Sequence, residues 1–286
     1  MGVADAVWQC LRATALAPGV VECRLNRPGK RNSLSVEMWD ELRDFFGAVA
    51  SDGAVRVVVL TGEGDVFCAG VDFAAFNPAT FVGDDAGHNA LRIRRLGKSW
   101  QDAFSNVERC GKVVIACVHG ACIGAGVELI AAADIRFCTA DATFALKEVD
   151  IGLAADVGGL QRFPKIVGNQ SLVRELAFSG RNFTAAEALP FGFVSRVCRD
   201  REALSTAALE VARTIAMKSP IALLGAKSFL NYTRDHTVDD SLDYAITWNQ
   251  GMLQSREVAV SAMALMSRKP AQFPDLPSLP PVSSKL

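Results

Sequence analysis

The chain has only three histidines, His88, His119 and His236, far apart and without the flanking spacing that a zinc site or a Ser-His-Asp triad requires. None of its eight cysteines (Cys10, Cys23, Cys68, Cys110, Cys117, Cys122, Cys138, Cys198) forms a C-x-x-C pair. Most stand in strand-like apolar runs, which predicts buried free thiols rather than disulfides. No window approaches the ~18 apolar residues of a membrane span, and the opening "MGVADAVWQC" lacks the basic and apolar regions of a secretory leader. A soluble, unsecreted protein is expected. Thirty Lys plus Arg against 31 Asp plus Glu leave a net charge of −1, which argues against a general nucleic-acid or membrane-surface binder. Any anionic ligand must be held by local groups.

Against those absences, half of the 286 residues are hydrophobic, enough for one large domain or a domain with an appendage. "VWQCLRATA" and "GVVECRLNRP" read as two strands around a Pro-Gly turn, followed by a helix over "SLSVEMWDELRDFFGAVA" with a serine cap. "VRVVVLTG" and "KVVIACVHG" are apolar enough to be buried strands; "GAGVELIAAA" reads as a short helix, "DIRFCTA" and "TFALKE" as further strands. The rhythm is strand-strand-helix. After about residue 200 the strands stop, and four consecutive helices with apolar faces follow, which need the core or another subunit to pack on.

Two buried strands run into small residues, "DVFCAGVDF" and "HGACIGAGVELI". Small residues let the backbone approach a ligand, and the second stretch opens a helix whose first N–H groups lack internal partners. Such groups can receive negative charge developing on oxygen. Gly120, Gly124 and Gly126 fit neither G-x-G-x-x-G nor G-x-x-x-x-G-K-[ST], so an oxyanion site and a structural turn are the stronger readings, with phosphate binding behind them.

Carboxylates in apolar company are the other signal. Glu128 lies in the first turn of its helix, where it complements the helix dipole, yet Val127, Leu129 and Ile130 suggest burial, where an unpaired carboxylate is costly. In "KEVDIGLAADVG", Glu148 follows a strand, Asp150 suits a solvated turn, and Asp156 could cap a helix over "VGGLQRFP". Acids in such surroundings tend to have raised pKa values, suited to moving protons beside a carbonyl.

Three segments carry a family resemblance: "NRPGKRNSLS", "FCAGVDF" and "VIACVHGACIGAGVELIAAADIRFC". Together they resemble the enoyl-coenzyme A hydratase/isomerase (crotonase) superfamily over roughly residues 7–270. Within it, "KEVDIGLAADVGGLQRFPKIVGNQSLVRELAFSGR" and "TRDHTVDDSLDY" are similar to the Δ3,5-Δ2,4-dienoyl-coenzyme A isomerases.

The resemblance implies an α/β fold in which repeated strand-strand-helix units form a spiral core over 1–200. It further implies a helical oligomerisation region over 201–270, building a homotrimer or hexamer, and an extended tail over 271–286. It places the backbone N–H groups of Val71 and Ala125 in an oxyanion hole for the thioester. Ala69, Gly70, Val71, Asp72, Phe73 and Gly126 would line the substrate. Glu148 would take a proton from C2, Asp156 deliver one at C6, and Glu128 orient or tune Asp156; Asp150 matches no catalytic position. No cofactor is implied, since coenzyme A arrives with the substrate.

Two departures stand out. Position 128 is Asp in those isomerases and Glu in the hydratases, and Ala125 stands where Gly is usual. A hydratase using Glu128 and Glu148 around one water is therefore an alternative, as is a non-catalytic acyl-coenzyme A binder or assembly subunit. The basic cluster Arg27, Lys30 and Arg31 is either a phosphate partner or a solvated turn. Ser284, Lys285 and Leu286 spell the address read by the peroxisomal import receptor, behind a Pro- and Ser-rich stretch suited to an accessible tail, so a peroxisome or peroxisome-derived organelle is expected.

Overall fold

A computed structural model describes residues 2–73, 83 and 85–278. The Ser284-Lys285-Leu286 signal lies outside them. The chain opens with strands β1 (Leu11–Ala17) and β2 (Val20–Leu25), an antiparallel hairpin, and helix α1 (Val36–Ser51), capped by the Ser35 hydroxyl, which accepts the Met38 N–H. Then come β3 (Val57–Gly62), α2 (Ala86–Arg109), β4 (Val113–Val118), β5 (Ala121–Ile123), α3 (Ala125–Ala131), β6 (Ile135–Thr139) and β7 (Thr143–Ala145). A 3-10 turn over Glu148–Ile151 leads to α4 (Gly159–Ile166), α5 (Gln170–Ser179), β8 (Phe183–Thr184), α6 (Ala185–Ala188) and β9 (Arg196–Cys198). Four helices close the described chain: α7 (Arg201–Ala216), α8 (Pro220–Thr233), α9 (Val238–Met252) and α10 (Arg256–Ser267).

Strands β1-β2-β3-β4-β6-β9 form one sheet, parallel from β2 onward, and β5-β7-β8 form a smaller one. The runs "VVVL" and "VVIACV" are apolar throughout because both faces of the large sheet are covered. One face packs on the main core, with Leu42, Phe45 and Phe46 of α1 and Phe104 of α2. The other receives α7, whose Leu204, Ala208, Ala212 and Ala216 lie on Val57, Val59, Ile115 and Cys117. The small alanines at four-residue spacing let this helix sit close to the strands, which ties α7 to the sheet while α8 to α10 follow it.

All eight cysteines are buried and free. Helix α2 was not legible in the sequence. Its first half is exposed and polar, and only near its end do Ala103, Phe104 and Val107 enter the core. Parallel neighbours deliver their C-terminal ends to one edge of a sheet, so the segments after β3 and β4 emerge side by side. The candidate site is built there.

Candidate active site

The segment after β3 is held from the N-terminal side of the chain. Asn32 is fully buried with φ 53°, and its amide nitrogen donates to the carbonyls of Glu63, Val66 and Phe67 at 2.8–3.1 Å. Its side-chain oxygen accepts the Arg27 N–H at 2.9 Å. Leu34 bridges to Val71: the Leu34 N–H donates to the Gly70 carbonyl and the Leu34 carbonyl accepts from Asp72. The second segment runs alongside, through a bridge between Cys68 and Cys122, and turns at Gly124 into α3.

Gly124 has φ 53°, and a Cβ there would stand 2.9 Å from Glu148 Oε1, so this turn has room for no side chain. Ala125 opens α3, where its N–H has no carbonyl one turn earlier to bond. No described acceptor takes the Val71 or the Ala125 N–H, and both residues line one cavity of about 320 Å³.

The same cavity is lined by Glu128, Glu148 and Asp156. These acids come from α3, the 3-10 turn and the approach to α4, so a separation of up to 28 positions is closed by the fold. Trp39, Trp100, Phe73, Ile123, Ile151, Leu153, Ala154 and Val157 supply apolar walls. Ala69, Gly70, Val71 and Phe73 line the cavity.

Asp72 and Gly126 of the expected substrate-binding set are not among its lining residues. Asp72 pairs with Arg27 at 3.0 Å, and Gly126 packs against Cys68. That ion pair, with a further bond from Arg27 to the Ser33 carbonyl at 2.5 Å, also commits the Arg27 guanidinium within the fold. Lys30 and Arg31 are exposed. Asp150 touches the cavity wall, but its carboxylate pairs with Lys147 at 2.9 Å.

The three acids sit in unlike environments. Glu128 is 1 % exposed, and its Oε1 accepts the Gly159 N–H at 2.8 Å. Burial pushes its pKa up to about 8; Glu148 and Asp156 add to the rise, while the Gly159 N–H and Arg162 hold it back. Glu148 is half-buried, and its Oε2 is enclosed without a hydrogen-bond partner among the described residues. Burial raises its pKa, neighbouring backbone N–H groups oppose that, and Asp156 raises it further.

Asp156 is the exposed member of the three. It does not cap α4: the cap residue is Gly158, with no side-chain bond at that end. The carboxylate of Asp156 is thus not consumed by the helix, and the capping reading falls.

The enoyl-CoA hydratase/isomerase family profile matches residues 16–275. This chain belongs to that family. Among its hydratase/isomerase relatives, the mouse Delta(3,5)-Delta(2,4)-dienoyl-CoA isomerase, mitochondrial, is 46% identical over 93% of this chain and 82% of its own. The Arabidopsis thaliana Delta(3,5)-Delta(2,4)-dienoyl-CoA isomerase, peroxisomal, is 41% identical over 86% of this chain and 90% of its own. A Thermobifida fusca crystal structure in complex with acetoacetyl-CoA superposes with a TM-score of 0.76 at 29% identity, covering 85% of this chain and 94% of that one.

The sequence reading missed Asn32 and the aromatic wall. Asn32 stands in the quoted "NRPGKRNSLS", and asparagine is a common non-glycine residue at positive φ, so the signal was present. Trp39 and Trp100 come from helices whose faces toward the cavity no local pattern distinguishes from ordinary core.

Proposed function

We propose that this enzyme isomerises 3,5-dienoyl-coenzyme A to 2,4-dienoyl-coenzyme A. The observation that carries the reading is the meeting of three carboxyl groups and two backbone N–H donors around one apolar cavity. The dienoyl-CoA isomerase names of the relatives support it. The Val71 and Ala125 N–H groups receive the thioester oxygen and stabilise the charge that builds on it; losing one such donor typically costs about 10²–10³ in rate. Glu148, whose Oε2 is enclosed without a partner among the described residues, takes the C2 proton. Charge spreads through the dienolate, and Asp156 delivers a proton at C6. Two acids serve because C2 and C6 are too far apart for one. Glu128, uncharged over much of the neutral range, limits the negative charge gathered beside them. The route uses no cofactor.

Purified protein given 3,5-octadienoyl-coenzyme A is expected to generate the ultraviolet absorbance of a conjugated 2,4-diene. No such signal, together with rapid hydration of crotonyl-coenzyme A, would overturn the isomerase reading in favour of a hydratase. That second reading has its own support, since Glu128 and Glu148 share the cavity and interact electrostatically. Turnover of either thioester excludes a non-catalytic binder.

The large exposed side chains on the last helices, Leu230, Leu242, Ile246, Leu265 and Met266, support assembly of residues 201–270 into a homo-oligomer, a trimer or hexamer, tested by light scattering. Lys30 and Arg31 are the remaining candidates of the basic cluster for coenzyme A phosphate. For location, the Arabidopsis relative is named peroxisomal and the mouse relative mitochondrial. Recognition of Ser284-Lys285-Leu286 by the peroxisomal receptor is the proposed route, tested by whether a Leu286→Asp variant stays in the cytosol.

A further inference from the structure

Asp156 is shared by the linings of three cavities, two of which bear on its placement. One is the apolar cavity just described; the other, of about 730 Å³, is walled by polar and charged groups that include Gln101, Ser105, Glu108, Arg162 and Arg234. Gln101, Ser105 and Glu108 are four and three positions apart on α2, so they share one helix face. All three side chains hold the segment from Asp156 to Arg162. Gln101 Nε2 donates to the Asp156 carbonyl at 2.8 Å. The Arg162 guanidinium donates to Ser105 Oγ and to Glu108 Oε2, both at 3.0 Å. Arg234, just past α8, also pairs with Glu108.

The Arg162 and Glu108 side chains are only 12% and 10% exposed. A desolvated ion pair is a weak source of net stability compared with apolar packing, but a planar guanidinium bound at two nitrogens has a fixed direction. Here that direction runs across Gly158: a Cβ on Gly158 would fall 1.8 Å from Arg162 Nη1. Gly158 is the pivot of the site. Two residues before it is Asp156, and the next residue, Gly159, donates its N–H to Glu128. No side-chain cap fixes this end of α4.

We propose that Arg162, held by Glu108 and Ser105 and assisted by Gln101, is a positioning residue that fixes the 156–159 turn and so aims the Asp156 carboxyl into the acyl cavity. The consequence for turnover rests on the isomerase reading; the clamp itself does not. Glu148 breaks the C2–H bond and leaves the electron pair in the dienolate. That dienolate then either regains a proton at C2 or forms a C6–H bond with the proton of Asp156. Glu148, Val71 and Ala125 stand on other segments, so loosening the turn slows the C6 step more than the C2 step.

The test is run in deuterium oxide with 3,5-octadienoyl-coenzyme A, comparing deuterium at C2 of recovered substrate with 2,4-diene formed. Arg162→Ala is expected to raise that ratio ~10-fold or more, since small misplacements of reacting groups cost up to about 10² in rate. KM should stay within about twofold, because most of the cavity wall, including Trp39, Val71, Trp100 and Ile123, stands on other segments. Gln101→Ala, at an exposed position that does not threaten folding, should raise the ratio about 3-fold through one lost hydrogen bond. Arg162→Lys should recover part of the loss.

An active wild type whose ratio is unchanged in both alanine variants overturns the clamp. A wild type that makes no diene overturns the isomerase reading, and the clamp is then judged by amide hydrogen exchange. In Arg162→Ala the 156–160 amides should exchange at least ~10-fold faster while α3 stays protected; unchanged exchange overturns the proposal.

Discussion

Glu128→Gln is expected to make the protein more stable, and increasingly so as pH rises. The folded site holds the Glu128 pKa at about 8 against 4.5 for the ordinary group, chiefly by burial, so the native state prefers the protonated acid. Its contribution to stability is fully present below pH 4.5 and is lost as pH rises through about 8. A shift of that size corresponds to an upper bound of ~5 kcal/mol at alkaline pH, of which about 3 kcal/mol falls between pH 6 and pH 9. With a melting shift of ~2 °C per kcal/mol for a chain of this length, the wild type should lose on the order of 5 °C over that interval through this group alone.

A glutamine copies the protonated acid, accepting the Gly159 N–H through its oxygen and carrying no ionisable proton. Thermal melts of both proteins at fixed concentration from pH 6 to 9 would show the curves diverging as pH rises. The burial that raises Glu148 is present in both proteins, so the difference between the curves reads Glu128 together with its coupling to Glu148. Curves that stay parallel, or a variant that melts lower at pH 9, would refute the account of Glu128 as a buried acid kept neutral by its surroundings.

Asp156→Asn should abolish diene formation while shifting the melting temperature by no more than ~2 °C, because this residue caps nothing and is exposed; a large loss of stability would restore the capping role. Asn32→Ala removes four hydrogen bonds from a fully buried position and places a Cβ-bearing, non-bonding residue at φ 53°. It should destabilise by about 3–5 kcal/mol. Turnover of the folded fraction should fall ~10²-fold as the Val71 N–H loses its place, measured by chemical denaturation and by kcat at low temperature.

Much of this site is legible in the sequence because its parts are local. The apolar runs of β3 and β4, the small residues that follow them and the acids at 128, 148 and 156 each carry a signal within a few residues. What is not legible depends on contacts across the chain. Nothing near Asp72 announces that Arg27 claims it, and nothing near Gly126 announces that its face is spent on Cys68. Helix α2 escaped because a helix that buries only its last turns shows no sustained apolar stripe. Its polar face, which grips the Asp156 turn, looks like ordinary solvated surface until the fold brings Arg162 to it. Asp156 itself could be read as a cap because helix starts are uncertain by a few residues, and the start at Gly159 settles that question.

The Asn32 staple gives the site a history as well as a shape. Its bonds to Glu63, Val66 and Phe67 span 31 to 35 positions, so the first N–H donor acquires its place only after the N-terminal hairpin has docked on the strand that follows. The three acids lie far downstream, and the side-chain bond of Glu128 goes to Gly159, not to that hairpin. A chain arrested with its N-terminus undocked would hold its proton carriers and lack the hole that makes a carbonyl worth deprotonating. Appearance of activity during refolding would therefore trail the burial of Glu128, and the lag would time the closing of the β1–β2 hairpin onto β3.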